Sequence, residues 1–339
     1  MRRLTYGVLT ATLTASLFSC SEQQKNIVSP SPSSIDACAN IEGIQSDVPP
    51  GVQVEDGNCD LCANLPGFQP VVPERHSRNP EAWTCTPVPD TPKPVVTVEF
   101  SGAGDIYDQG SQASETTGAL LPPGGLVFTL GDNAYPDGSD RDFEGYDRTR
   151  WGANKGRTRP TAGNHEYHTR DAAVYFRYFG IAPDGYYAFM HGDWLVIALN
   201  TNAEANISSE LSWLEGILAA FGGKCALAYG HHPWRTSGPN RDIGHMEAFA
   251  GVLQRYKAEM LLSGHNHNYE RFEQENGLLQ IVAGTGGHRQ LYDFPFPQPS
   301  SRVRIREYGI VKLKLSTNGY HGEFVTQGGA RDMFEGLCR

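Results

Sequence analysis

The sequence predicts a mixed α/β fold with mixed sheets, preceded by a small disulfide-rich segment. From Val95 onward, short apolar runs rich in β-branched residues alternate with longer stretches of helical pattern. The last part of the chain continues as strands without helices between them. Four cysteines crowd into a region rich in Pro and Gly before Val95, which is typical of a separate small module. Strands that are apolar on both faces indicate sheets that are buried under helices.

The size and charge of the chain limit what it binds. Its 339 residues are 39% hydrophobic, which is enough for one large domain and smaller segments beside it. The formal net charge is −10 at pH 7. An acidic chain lacks the basic surface that attracts nucleic acid, so we expect no nucleic acid as a specific partner. An anionic substrate would need strong local positive charge, for example from metal ions.

The N-terminus is typical of a targeting segment. Arg2 and Arg3 precede an apolar stretch without acidic residues that reaches Phe18, and this pattern predicts a signal peptide over residues 1–19. Leu17-Phe18-Ser19-Cys20 is similar to the bacterial lipobox, in which the cysteine is lipidated. We therefore expect an exported lipoprotein, anchored in a bacterial membrane through Cys20 and facing the periplasm or the cell surface. Ordinary secretion with an incidental cysteine is the alternative.

Two Pro-rich segments flank the small module. Residues 20–37 contain the run Ser29-Pro30-Ser31-Pro32 and are expected to form an extended linker, and residues 87–94 a stiff spacer. The module between them spans residues 38–86, and the catalytic domain is expected over 95–339.

Cysteine pairing follows from export. The module contains Cys38, Cys59, Cys62 and Cys85. An oxidising compartment favours disulfides, although Cys59-Asp60-Leu61-Cys62 leaves a zinc site open as the alternative. The two cysteines that follow, Cys225 and Cys338, are expected to pair within the main domain.

The predicted elements of the main domain are short. Strands are expected at Val95–Phe100, Leu126–Leu130, Trp194–Leu199, Cys225–Tyr229, Met260–Leu262, Leu278–Ala283, Gly309–Leu315 and Gly319–Thr326. Helices are expected at about Gly110–Leu121, Ala172–Phe179, Ser208–Phe221 and Met246–Lys257. The third helix opens with Ser208, which has the composition of an N-cap.

Polar clusters follow most of these apolar runs, and each of the five begins directly after a glycine. They are Asp105 after Gly104; Asp132 to Tyr135 after Gly131; Asn164, His165 and Glu166 after Gly163; His231 and His232 after Gly230; and His265 to His267 after Gly264. One such cluster alone is an ordinary turn. Together, and at strand ends, they predict a site that holds metal ions through carboxylates and imidazoles.

The ordered motifs GD, GDxxY, GNHE, HxP and GHxH resemble those of the calcineurin-like metallophosphoesterases, in the branch that includes the purple acid phosphatases. The resemblance covers about Val95 to Arg331 and leaves out the N-terminal module. It implies a layered αββα sandwich and a hydrolase of phosphate esters that uses a metal-bound hydroxide. A phosphomonoesterase of the acid phosphatase type is favoured. A phosphodiesterase of the same fold and a non-catalytic surface binding lipoprotein are the alternatives.

The resemblance also implies the metal ligands. One metal would be held by Asp105, Asp132, Tyr135 and His267, and the other by Asp132, Asn164, His231 and His265. Carboxylate and phenolate oxygens suit Fe(III), whereas imidazole and amide ligands suit divalent Fe, Zn or Mn. Many relatives carry a histidine where this chain has Tyr107, which is expected to pack or to lie at the rim, while Tyr135 serves as the ligand.

Other polar residues are expected around the substrate. His165 resembles the family's histidine that contacts the phosphate and protonates the leaving oxygen. His245 is a candidate second acid. His288 and Arg271 are candidates for the pocket wall together with Asn164, although an ordinary salt bridge is the alternative for Arg271. The sequence leaves the oligomeric state open.

Overall fold

The computed structural model divides the chain into two compact units, Met1–Lys93 and Pro94–Arg339. The structure describes residues 54–55, 58–59, 61, 72, 76–79, 84–87, 96–202, 206–223, 225–241 and 244–339. The predicted signal peptide, Cys20, the linker and nearly all of the spacer lie outside these residues.

The first unit contains two short antiparallel hairpins among its described residues. Strand β1 (Val54–Glu55) pairs with β2 (Asn58–Cys59), and β3 (His76–Asn79) pairs with β4 (Thr84–Pro87). Cys38 and Cys62 lie outside the described residues, so the disulfides of this module stay a prediction.

Two mixed sheets form the second unit. Its strands are β5 (Thr97–Ala103), β6 (Leu126–Thr129), β7 (Thr158–Arg159), β8 (Tyr187–His191), β9 (Trp194–Ala198), β10 (Cys225–Tyr229), β11 (Met260–Ser263), β12 (Tyr269–Phe272), β13 (Leu279–Ala283), β14 (Ser301–Ile305), β15 (Gly309–Ser316), β16 (Gly319–Thr326) and β17 (Gly329–Leu337). The six-stranded sheet has the order β17-β16-β15-β5-β6-β7, and the seven-stranded sheet has the order β14-β12-β13-β11-β10-β9-β8.

Helices lie along the outer faces of the two sheets. They are α1 (Ala113–Gly118), α2 (Asp140–Asp147), α3 (Ala173–Phe179), α4 (Ile207–Ala220) and α5 (Met246–Arg255), with short 3₁₀ turns at Gly152–Arg157, Glu166–His168 and Arg170–Ala172. Within the described residues, no helix is both long enough and apolar enough to cross a membrane.

Three apolar clusters define the layers. The central cluster joins the inner faces of the two sheets, with Phe100 and Phe128 on one side and Trp194 and Leu227 on the other. A second cluster packs α4 and α5 on the seven-stranded sheet, and a third packs α2 and α3 on the six-stranded sheet. This is the αββα sandwich that the resemblance implied, and the mixed α/β class is confirmed.

Most predicted elements are present with small shifts of their ends. The predicted bounds of β10 and β16 match the structure. The predicted N-cap at Ser208 is wrong, because the side chain of Asn206 accepts the hydrogen bond from the Ser209 amide and α4 begins at Ile207. Helix α2 escaped prediction because its sequence is mostly polar. Its start is fixed instead by a capping box between Ser139 and Asp142.

The disulfide predicted in the main domain is confirmed. Cys225, at the start of β10, is bonded to Cys338, one residue from the end of the chain, with 5.1 Å between their Cα atoms. The bridge ties the C-terminal tail to a central strand of the seven-stranded sheet.

Candidate metal centre

The five polar clusters meet at one edge of the sandwich. Strands β5, β6 and β7 run parallel in one sheet, and β9, β10, β11 and β13 run parallel in the other. The loops after parallel strands lie at the same edge of a sheet, where α/β proteins commonly bind ligands. Backbone bonds join these loops across the sheets: the Gly104 amide donates to the Ala283 carbonyl at 2.9 Å.

The first predicted set of four donors converges on the Tyr135 hydroxyl. That oxygen lies 2.8 Å from Asp105 Oδ1, 2.8 Å from Asp132 Oδ2 and 3.2 Å from His267 Nε2. All four side chains are almost completely buried. Burial, together with the two carboxylates, raises the pKa of Tyr135 well above its usual value. Ionising this phenol therefore requires a nearby cation, and a ferric ion bound among these oxygens would ionise it.

The second predicted set converges on Nε2 of His231. This atom lies 3.0 Å from Asn164 Oδ1, 3.1 Å from His265 Nδ1 and 3.4 Å from Asp132 Oδ2. Asp132 therefore faces both sets, as expected of a bridging ligand. The ligand atoms of Asp105, Asp132 and His231 all lie within 4.8 Å of one another.

The orientation of His231 indicates that the space beside it suits a cation. Its Nδ1 lies 2.7 Å from the Leu130 carbonyl oxygen, so Nδ1 carries the proton and Nε2 points at acceptor oxygens. Burial lowers the pKa of His231, but the Asp132 carboxylate outweighs this effect and raises the pKa to about 9. Burial and His231 lower the pKa of His265 to about 4, which keeps that imidazole neutral and able to bind a metal.

Three of the seven donor residues have left-handed backbone conformations. The φ angles are 60° at Asp105, 49° at Asp132 and 68° at His265. Such conformations cost about 1–3 kcal/mol each for a residue with a side chain and tend to occur at functional sites. The packing of the two sheets therefore holds these donors in place at a cost in stability.

The glycine before Asn164 makes room for the bridging carboxylate. A Cβ atom at Gly163 would lie 2.1 Å from Asp132 Oδ1 and 2.3 Å from the Asp132 amide nitrogen. Both distances are far below any real contact. A side chain at this position would force the Asp132 loop to move, because that loop crosses directly over it.

Glu166 joins the loops that carry Asp132 and Asn164. Its carboxylate accepts hydrogen bonds from the amides of Asn133 at 2.8 Å and of Gly163 at 2.7 Å, and it is fully buried. Burial and the neighbouring Asp132 carboxylate raise its pKa to about 8. The last residue of the GNHE motif is thus a structural clamp between two donor loops.

His165 lies beside the donors, on the side of the centre that is open to solvent. Its amide donates to Asp132 Oδ1 at 2.9 Å, and its Nδ1 donates to the Pro136 carbonyl at 2.5 Å. Its Nε2 is 3.9 Å from Asp132 Oδ2, and its side chain is 29% exposed. The free ring nitrogen therefore points toward the centre, where a bound substrate would reach it.

A cavity of about 300 Å³ opens onto both donor sets. Nine residues line it: Asp132, Tyr135, Asn164, His165, Asn240, His265, His267, His288 and Tyr292. The predicted His288 forms part of the wall, with its ring centre 4.5 Å from that of Tyr135. Asn240 and Tyr292 escaped prediction. They lie on irregular loops, and only long-range packing brings them to the cavity.

His245 and Arg271 lie elsewhere. His245 is the residue before α5, and its Nε2 is 2.9 Å from the Thr201 carbonyl oxygen, outside the cavity lining. Arg271 on β12 donates to Asp332 on β17 through Nε at 2.6 Å and through a second nitrogen at 2.9 Å. The salt bridge, which was the alternative for Arg271, is therefore what the structure contains. Tyr107 packs against Gly145 of α2, as expected.

Comparison with known proteins agrees with this geometry. The family model described as calcineurin-like phosphoesterase matches residues 100–269, which carry all seven donors. The chain belongs to the calcineurin-like phosphoesterase family. Purple acid phosphatase-like metallophosphoesterases use two metal ions, and this chain contains groups of residues that could hold a metal ion, one of them Asp105, Asp132 and His231.

Relatives of this calcineurin-like phosphoesterase include acid phosphatases. It is 26% identical over 257 residues to purple acid phosphatase 22 of Arabidopsis thaliana, an alignment that covers 66% of this chain and 59% of the relative. It is 28% identical over 120 residues to the human tartrate-resistant acid phosphatase type 5, with 34% of each chain covered. The chain thus spans less than two thirds of the length of these relatives.

Solved structures share the fold of this phosphoesterase. A purple acid phosphatase from yellow lupin seeds superposes with a TM-score of 0.57 at 17% identity, covering 71% of this chain and 53% of the other. GAP50, the anchor in the inner membrane complex of Plasmodium, superposes with a TM-score of 0.56 at 15% identity, covering 72% and 89%. At these identities the likeness concerns the fold alone.

Proposed function

We propose that this protein is a phosphomonoesterase of the acid phosphatase type with a dinuclear metal centre. The observation that carries the proposal is the convergence of two sets of four donors that share Asp132. The family model and the acid phosphatase relatives support hydrolysis of phosphate esters.

The residues of the chain have distinct tasks in this reaction. Two bound metal ions would polarise the phosphoryl oxygens and activate the attacking water. Asp105, Asp132, Tyr135 and His267 would hold one ion, and Asp132, Asn164, His231 and His265 the other. His165 would hold a proton on Nε2 and give it to the leaving oxygen, since Pro136 already fixes its other nitrogen.

A pair of adjacent substitutions tests these roles. Asn164→Ala should lower metal content, because it removes a donor oxygen. His165→Ala should keep the metal content and lower the rate by about 10²–10⁴-fold, with a smaller loss for substrates whose leaving group needs no proton. The measurements are metal analysis and initial rates on a series of aryl phosphates. An equal loss across the series would show that His165 only positions the phosphate.

A panel of substrates separates the alternatives. Phosphate monoesters and diesters with the same aryl group should be given to the metal-loaded protein, and we expect faster hydrolysis of the monoester. A preference for the diester would favour a phosphodiesterase. A protein that binds phosphate and metals but hydrolyses neither ester would favour the surface binding protein, a role compatible with a fold that GAP50 also has.

For the metals, we propose Fe(III) at the site with Tyr135 and a divalent Fe, Zn or Mn ion at the other. The buried phenol between two carboxylates is a suitable ligand for a trivalent ion. Protein loaded with iron should then absorb visible light through phenolate-to-iron charge transfer. Tyr135→Phe should abolish this band while iron remains measurable. An active, colourless protein without iron would contradict the assignment.

We also propose that the protein is a bacterial lipoprotein anchored through Cys20. The support is the sequence alone, with the apolar run that ends in Leu17-Phe18-Ser19-Cys20. Cys20→Ser should move the protein from the membrane fraction to the soluble fraction and leave hydrolysis intact. If the variant stays with the membrane, the anchor is of another kind.

A further inference from the structure

Tyr292 has a fixed position on the wall of the cavity although it lies in an irregular loop. Its amide donates to the His267 carbonyl at 2.8 Å, and its ring stacks on the His267 ring with 4.1 Å between centres and 14° between planes. Downstream, the amide of Phe296 donates to the Ser237 carbonyl at 3.0 Å. The loop is held on both sides of Tyr292, so its ring presents a defined surface to the cavity.

Asn240 is fixed on the same wall by a separate network. Its amide donates to Asn266 Oδ1 at 3.0 Å, and Asn266 Nδ2 donates to the Asn240 carbonyl at 2.8 Å. Its own Nδ2 donates to the His265 carbonyl at 2.9 Å. The side chain thus keeps its Oδ1 and one amide hydrogen for a molecule in the cavity.

The cavity wall that the structure describes contains no lysine and no arginine. Arginines nearby are paired with carboxylates: Arg271 with Asp332, and Arg289 with the buried Asp108. The guanidinium of Arg241 lies over the Phe296 ring, 4.4 Å from its centre, and outside the lining. Beyond the metal centre, His165 and His288, the wall therefore offers an aromatic ring and a neutral amide rather than a lysine or an arginine.

From these contacts we infer that Tyr292 determines specificity by stacking on the leaving group, and that it selects monoesters whose leaving group is neutral and aromatic. A leaving group that carries more phosphate, such as that of ADP, would find no lysine or arginine on this wall. The cavity volume of about 300 Å³ suits one phosphate and one ring. The inference rests on the proposed phosphomonoesterase function.

The test compares Tyr292→Leu and Tyr292→Phe with the wild type. The quantity is the ratio of kcat/KM for phenyl phosphate to kcat/KM for glycerol 2-phosphate, in which intrinsic reactivity cancels between variants. Tyr292→Leu should lower the ratio by about 2- to 12-fold, as expected for the loss of an aromatic pair, and Tyr292→Phe should keep it. Tyr186→Leu is the matched control, because the Tyr186 ring packs against Trp213 at a tilt of 47° and lies outside the cavity.

The metal content of Tyr292→Leu shows whether Tyr292 determines specificity or only holds His267 in position. If Tyr292→Leu lowers both rates equally and also lowers metal content, Tyr292 only positions His267 and the inference is wrong. An unchanged ratio in Tyr292→Leu would overturn it too, as would a wild type that prefers ADP to phenyl phosphate.

Ligand binding tests the inference without catalysis. Calorimetry on the metal-loaded protein should show that phenylphosphonate binds more tightly than methylphosphonate, and that Tyr292→Leu removes the difference. If the wild type hydrolyses no monoester, the proposed function fails, yet this comparison still decides the role of Tyr292. Equal affinity of the two phosphonates for the wild type would refute stacking.

Discussion

Gly163→Ala would test how precisely the donor loops are fitted together. The added Cβ would lie 2.1 Å from Asp132 Oδ1 and 2.3 Å from the Asp132 amide nitrogen, whereas real contacts of this kind begin at 3.0 Å. The bridging carboxylate or the backbone must therefore move by roughly 0.9 Å. Metal ligands tolerate displacements of only about 0.2 Å. The small side chain should thus act mainly through the metal centre.

Two effects of Gly163→Ala can be measured separately. In the presence of a chelator, overpacking should lower the free energy of unfolding by about 1–3 kcal/mol, measured by urea denaturation. Metal affinity, measured by competition with a chelator of known affinity, should fall by about 10- to 100-fold, as for other changes that shift a ligand.

Gly156→Ala is the matched control for this substitution. A Cβ at Gly156 has no neighbour within 4 Å, and the residue lies on an exposed 3₁₀ turn of the same sheet layer. It should leave both quantities unchanged. If Gly163→Ala binds metal as tightly as the control does, the Asp132 loop is adaptable, and the argument from close packing is refuted.

Two further predictions concern stability. Replacing both Cys225 and Cys338 by alanine should lower the free energy of unfolding by about 4–5 kcal/mol, because the bridge closes a loop with a sequence separation of 113; a loss below about 1 kcal/mol in denaturant titrations would show that the tail is held by other contacts. Burial raises the pKa of Glu210 to about 8, although its carboxylate accepts a hydrogen bond from the Asn200 amide. The folded-state pKa of Glu210 lies above the unfolded one. Its contribution to the free energy of unfolding is therefore full below about pH 4.5 and is lost as the pH rises through 8. The free energy of unfolding of Glu210→Gln should therefore rise by about 4 kcal/mol relative to that of the wild type between pH 5 and pH 9, measured by unfolding at each pH. A difference between the two proteins that stays constant with pH would contradict the shifted pKa.

The sequence was informative where local chemistry decides the structure. Runs such as Cys225–Tyr229 are apolar at every position, and all five residues are buried in a strand with parallel neighbours on both sides. The polar clusters follow such runs, and the topology brings them together. The resemblance supplied the division of the donors into two sets, which local patterns alone do not contain.

Other features depend on contacts between distant parts of the chain. The partner of Arg271 is Asp332, which is 61 residues away on a strand without a strong apolar pattern. Tyr292 reaches the cavity because its loop is bonded to His267, and nothing in the neighbouring residues indicates that bond. Such pairings arise from tertiary packing, so composition and periodicity carry no signal for them.

The two donor sets have one further property, which concerns the cohesion of the sandwich. Asp105, Asp132, Tyr135 and Asn164 extend from the six-stranded sheet, whereas the three histidine donors extend from the seven-stranded sheet. Each metal ion would thus have ligands from both sheets. The two sheets could then separate at this edge only if the metal ions were released. The binding free energy of the ions would therefore oppose separation of the sheets. The metal centre that performs the chemistry would also stabilise the packing of the two sheets.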